Sequence, residues 1–65
     1  MANVKRFRKQ LEGGCWRCVE WQYRQREHVV WVVTCVRNDH RVIAKRPSRS
    51  RAWYAAARLA ATLVT

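Results

Sequence analysis

Apolar and polar residues alternate along the first half of the chain, then change period. Val19, Trp21 and Tyr23 alternate with Cys18, Glu20 and Gln22, the period of two expected of a half-buried strand, so a first strand is predicted over residues 15–25. Val29 to Val36 (Val-Val-Trp-Val-Val-Thr-Cys-Val) is too short and too β-branched for a helix. Arg41 to Arg46 follows the turn signal Asn38-Asp39, and both segments read as strands. From Pro47 the period becomes helical. Pro47 disfavours helical geometry at Arg46, and the Ser48 hydroxyl can accept from a backbone N–H one turn in, so a helix is predicted from Ser48 onward. Position 51 is Arg, which excludes a capping box. Ala52, Ala55, Ala56, Leu59 and Leu63 then form a packing stripe, while Arg51, Tyr54 and Arg58 project from another side.

A turn centred near Arg26-Glu27 sets Cys18 opposite Cys35, Trp21 opposite Val32 and Tyr23 opposite Val30. That register gathers Val19, Trp21, Tyr23, Val30, Val32, Thr34 and Val36 on one face, with Val42 and Ala44 from the third strand, and this is the face expected beneath the helix. The opposite face then carries Trp16, Trp31, Val33 and Ile43 among Cys18, Glu20, Gln22, Arg24, Cys35, Arg37, Arg41 and Lys45. So many apolar side chains on an uncovered face point to a nucleic-acid platform or a protein interface. A slip of one residue exchanges the two faces, and strand two, apolar on both sides, does not choose between them.

The first fourteen residues are basic. Val4, Phe7 and Leu11 share one side of a short helix that Asn3 can cap and Gly13 can stop, with Lys5, Arg6, Arg8 and Lys9 over much of the rest. Fewer than about 12 residues seldom hold a helix alone in water. Residues 1–14 are therefore either a helix docked through Phe7 and Leu11 or a basic arm that orders on phosphate. The fold class expected is α+β: one β-β-β-α domain over residues 15–65, a three-stranded antiparallel sheet packed on a C-terminal helix, preceded by that short basic helix or arm.

Charge changes the picture most. Fourteen Lys and Arg, eleven of them Arg, stand against four Asp and Glu, a formal net charge of +10 on 65 residues, and such an excess points to a polyanionic partner. No uninterrupted apolar run approaches the roughly 20 residues of a membrane span, so a soluble, cytoplasmic protein without membrane contact is expected. Cys15, Cys18, Cys35 and His40 supply enough ligands for a structural zinc of the three-Cys, one-His type. Free thiols are preferred, because no second closely spaced ligand pair exists and Cys35 lies inside a strand. No cofactor is expected. His28, His40, Glu20, Glu27 and Asp39 are the only acid/base candidates, and their positions show no nucleophile with a base and an orienting group, so no enzymatic activity is expected.

The strand Val30-Trp31-Val32-Val33-Thr34-Cys35-Val36, a turn, a short strand and then Ser48-Arg49-Ser50-Arg51-Ala52-Trp53-Tyr54-Ala55-Ala56-Ala57-Arg58-Leu59-Ala60 resembles the second half of a double-stranded RNA-binding domain. That family opens its last helix with a Ser-Lys-Lys-x-Ala-Lys type segment followed by an alanine-rich run. Ser48, Arg49 and Ala52 fit, while Ser50 and Trp53 stand where the family has phosphate-touching lysines. The first helix is short here, and Arg26-Glu27-His28 only echoes the loop that senses ribose hydroxyls. Three strands then a helix is also similar to the DNA-binding domains of the plant AP2 type and to integrase amino-terminal domains, which implies sheet contacts to the major groove from Arg24, Trp31, Arg37 and Arg41.

Two functions follow from these readings. The first is non-enzymatic binding of double-stranded nucleic acid, DNA ahead of RNA, by a regulator of phage or mobile-element type. Its contacts would be Lys5, Arg6, Arg8, Lys9, Arg24, Trp31, Arg37, Arg41, Lys45, Arg46, Arg49, Arg51 and Arg58. The second is a phage-type interaction protein whose Trp16, Trp31 and Ile43 face receives an acidic host protein. The same open sheet face is the place expected for a homodimer contact. A small structural zinc module is the third alternative.

Overall fold

Two tight turns fold the three strand segments into one antiparallel sheet. The computed structural model describes residues 4–64, and they form α1 (Val4–Gly13), β1 (Arg17–Gln25), β2 (His28–Arg37), β3 (His40–Arg46) and α2 (Arg49–Val64). The sheet order is β1-β2-β3. Arg26 and Asn38, the first residues of the two turns, have φ of 59° and 53°; asparagine tolerates this left-handed region better than most residues. The β1–β2 register pairs Cys18 with Cys35, Trp21 with Val32 and Tyr23 with Val30, as a turn centred near Arg26-Glu27 predicts. The Asn38-Asp39 turn pairs Arg37 with His40, so Cys35 meets Val42 and Val33 meets Ala44.

The start of α2 is the expected one: the Arg51 N–H donates to Ser48 Oγ at 3.3 Å and the Ala52 N–H to the Ser48 carbonyl at 3.0 Å. At the other end of the chain α1 is docked, with Leu11 buried and Val4 and Phe7 packed against the core. The expected cap at Asn3 lies outside the described residues. The helix ends at Gly13 as expected, but the glycine is not the left-handed residue that closes it. The Trp16 N–H returns to the Leu11 carbonyl and the Cys15 N–H to the Glu12 carbonyl, both at 3.0 Å, the paired bonds of a Schellman ending. The left-handed residue of that ending is Cys15, with φ of 67°. Glycine holds this conformation without a Cβ penalty, and Cys15 is exposed. Cys15→Gly is therefore expected to raise stability by about 1 kcal/mol, read as an increased denaturant midpoint at unchanged slope.

The core lies between the helices and the sheet face carrying Cys18, Trp31, Val33, Cys35, Val42 and Ala44. This reverses the expected faces. Val19, Trp21, Val36 and Ile43 are exposed on the side away from the helices, whereas Trp16 is buried and Trp31 is half-buried against the core. Val42 and Ala44 do lie under the helix, but with Cys35 and Val33 as neighbours. Arg41, Ile43 and Lys45 belong to the open face with Val36, Thr34 and Val32.

The packing side of α2 also differs from the expected stripe. Ala52, Trp53, Ala55, Ala56, Ala57 and Ala60 are buried, while Leu59 and Leu63 remain 44% and 47% exposed. Helical period identifies a stripe but not the width of the surface beneath it. Leu59 borders an open groove beside Arg46 and Pro47, and Leu63 lies near Arg37, Asn38 and His40 at the β2–β3 turn, both margins of a sheet only three strands wide. Over the sheet itself, alanines let the helix axis approach Val33, Cys35 and Ala44 closely, and Trp53 and Trp16 supply the bulk.

Candidate nucleic-acid interface

Helical spacing places Arg51, Tyr54 and Arg58 on one side of α2. Arg58 Nη1 donates to Tyr54 Oη at 2.9 Å, and the Phe7 ring of α1 meets Tyr54 edge to face at a centroid distance of 5.5 Å. The two helices thus lie side by side, with Tyr54 between them. Arg46, at the end of β3, joins Arg51, Tyr54 and Arg58 around an open groove of about 520 Å³ floored by Pro47 and Leu59. Arg46 Nη1 is turned back to the Lys45 carbonyl at 2.7 Å. On α1, Lys5, Arg6, Arg8 and Lys9 are all exposed, since Val4, Phe7 and Leu11 occupy the inward side.

Carboxylates neutralise little of this charge. Among the described residues the ion pairs are Arg8–Glu12 at 3.2 Å and Arg49–Glu20 at 2.6 Å. Arg49 is thereby turned toward β1. Glu20 Oε1 accepts from Arg49 Nε and also from Trp53 Nε1 at 2.7 Å. Burial alone would push the Glu20 carboxyl up, but the donors on Arg49 and Trp53 outweigh it and hold the group below the ordinary glutamate value. Glu20 is therefore a structural anion, and Trp53 is a core residue where the resembled family has a phosphate-contacting lysine.

The four side chains expected to read a major groove do not share a surface. Arg24, Trp31 and Arg37 have the parity of the helix-covered face, while Arg41 stands on the open one. Trp31 packs against the core, and Arg37 is half-buried beside Trp16, His40 and Leu63. Lys45 accompanies Arg41 on the open face. The interface expected around Trp16, Trp31 and Ile43 likewise does not exist as one patch. Arg17 and Trp21 also stand on the open face, Arg17 with the same β1 parity as Val19 and Trp21, although the sequence pattern predicts Trp21 beneath the helix.

The four possible zinc ligands do not assemble. Among the described residues no three His, Cys, Asp or Glu side chains come together. Cys18 and Cys35 are cross-strand neighbours, Cys15 lies exposed before β1, and His40 begins β3. Burial pushes the Cys18 and Cys35 thiols up, Cys35 further, so both stay protonated at neutral pH rather than acting as nucleophiles. No described helix is long and apolar enough to cross a membrane.

Comparison of the chain with protein-family models, with curated proteins and with solved structures gives no match.

Proposed function

We propose that this protein binds double-stranded nucleic acid without chemistry, through the outward surface of its two helices. The observation that carries the reading is the density of uncompensated cations there. Lys5, Arg6, Lys9, Arg46, Arg51 and Arg58 are exposed on or beside α1 and α2, and none of them is in an ion pair among the described residues. Arginine is the side chain best suited to grip phosphate with a planar fork. A helix, three strands and a helix, with both helices on one sheet face, is also an order that agrees with the resemblance to the double-stranded RNA-binding domain. DNA stays ahead of RNA. In the resembled family the first helix and the loop before the second strand sense ribose hydroxyls, and here α1 spans ten described residues and that loop is the two-residue Arg26-Glu27 turn, which leaves little surface for that task.

The test is a salt titration on duplex DNA and duplex RNA. Binding to B-DNA should weaken with a log–log slope of about 0.9 per phosphate neutralised. Replacing Lys5, Lys9, Arg51 and Arg58 by Ala should weaken binding to all duplex sequences alike and flatten the slope by roughly that amount for each phosphate left without its cation. An unchanged slope in this variant would remove the helix surface from the interface.

A further inference from the structure

Both helices pack on one side of the sheet, and no described element covers the other. The register sets out that open face in rows: Arg17–Val36–Arg41, Val19–Thr34–Ile43, Trp21–Val32–Lys45 and Tyr23–Val30. Val19 is 62% exposed, Trp21 and Ile43 48% each, and Val36 39%. Val32, between Trp21 and Lys45 in its row, is buried even though it is outside the helix-covered core. Trp21 and Tyr23 tilt against each other with centroids 5.6 Å apart at 35°. No acidic residue occurs at any of these positions. The face is an apolar and aromatic strip with Arg17 and Arg41 across one end and Lys45 in the Trp21 row, on the far side of Val32.

The occupant must offer apolar surface and negative charge together. A second copy would set Arg17, Arg41 and Lys45 against their own equivalents with no carboxylate on the face, in a chain of formal charge +10. A duplex brings phosphates but keeps its bases stacked on one another, leaving Val19, Val36 and Ile43 facing water or polar groove edges. Unpaired nucleotides present both features, because their flat faces are free to stack and every link carries a phosphate. Aromatic side chains in a positively charged track are the means by which single strands are held without regard to sequence.

We infer that the open sheet face binds single-stranded nucleic acid. Bases stack on Trp21 and Tyr23 and lie over Val19 and Ile43, while Arg17, Arg41 and Lys45 hold the phosphates. The six-residue rise from Arg17 to Tyr23 is about 20 Å, room for a short run of nucleotides. The inference does not rest on duplex binding by the helices, since the two surfaces are on opposite sides of the sheet.

The experiment uses the full chain with short oligo(dT) and oligo(U), and a hairpin duplex as control. Trp16 and Trp53 are buried and Trp31 is half-buried, so stacking on Trp21 should quench the solvent-exposed part of the tryptophan fluorescence. Trp21→Ala should remove that quenching and weaken single-strand affinity by roughly 5- to 150-fold, the range supplied by one stacked base, while Trp21→Phe retains most of it. Trp21→Phe should melt close to the parent, Trp21→Ala somewhat lower because Val32 and Tyr23 lose apolar cover, and neither variant, kept well below its melting temperature, should alter hairpin affinity. Comparing the oligo(dT) and oligo(U) arms shows whether the strand is DNA or RNA. Single-strand affinity indifferent to Trp21→Ala would overturn the inference. So would a concentration-dependent dimer dispersed by Ile43→Lys, or capture of an acidic amphipathic peptide through Trp21 with no oligonucleotide binding. If Lys5, Lys9, Arg51 and Arg58 prove irrelevant to duplex binding while Trp21 governs single strands, the helix reading falls and this one stands.

Discussion

Ala56→Asp is expected to abolish the cooperative melt of this protein, whereas Leu59→Asp is expected to leave it nearly intact. Ala56 is fully buried in the middle of the α2 stripe, among the core residues that include Val33, Cys35 and Ala44. An aspartate there adds atoms to a closely packed site, at a cost of about 1–3 kcal/mol. It also adds a charge whose burial without a partner costs several kcal/mol more. A core in a domain of this size rarely supplies more than about 3–5 kcal/mol, so the sum exceeds what is available. Leu59 lines the open groove beside Arg46, Arg51 and Arg58, where a carboxylate remains solvated and has cations nearby. Its replacement should cost at most about 1 kcal/mol, the ordinary scale for a surface position that gives up some apolar area. Thermal unfolding followed by circular dichroism distinguishes the two. A Leu59→Asp protein with no melt, beside an Ala56→Asp protein that melts normally, would place the helix on a different side.

The strands, both turns and the start of α2 were legible because each rests on a local rule. Alternation gave β1, β-branching gave β2, and Ser48 after Pro47 marked the helix start. Even the pairing of Cys18 with Cys35 followed from placing one turn at Arg26-Glu27. Which face the helix covers was not legible, and amphipathicity in β1 pointed the wrong way, since Val19, Trp21 and Tyr23 are more apolar than Cys18, Glu20 and Gln22. The covered side is marked instead by an interaction between residues far apart in the chain, in which Glu20 accepts from both Arg49 and Trp53. No periodicity displays such an interaction. The error in β3 was avoidable: a two-residue Asn38-Asp39 turn pairs Arg37 with His40, and counting onward sets Val42 beside Cys35. The reversal of faces also relocates the candidate sites. It buries Trp16 and turns Trp31 toward the core, leaves Arg51 and Arg58 on the helix side, and keeps Arg41 and Lys45 on the uncovered face but beside Arg17, Val32 and Val36 rather than Arg24, Trp31 and Arg37.

The long-range bond between Trp53 and Glu20 carries the other large expected effect. Trp53 is among the largest fully buried side chains, and truncating a buried tryptophan to alanine costs about 3–5 kcal/mol, so Trp53→Ala should leave the chain largely unfolded. Trp53→Phe keeps most of the apolar bulk and removes the Nε1–H donor to Glu20. A hydrogen bond to a charged group contributes about 1.5–3 kcal/mol, and Glu20 is partly solvated, so the loss should fall near the lower end. The pH dependence separates the bond from the packing. Because the folded-state value of Glu20 is depressed, its contribution is fully present above the unfolded value of about 4.3 and is lost as pH falls through the lower folded value. The stability difference between the parent and Glu20→Gln should accordingly be largest near neutral pH and shrink under acid. In the Glu20→Gln background, Trp53→Phe should cost less than it does in the parent, because the charged acceptor is already gone. Denaturant unfolding of the four proteins across this pH range measures the coupling directly, and equal costs for Trp53→Phe in both backgrounds at neutral pH would show that Trp53 stabilises α2 on the sheet by its bulk alone.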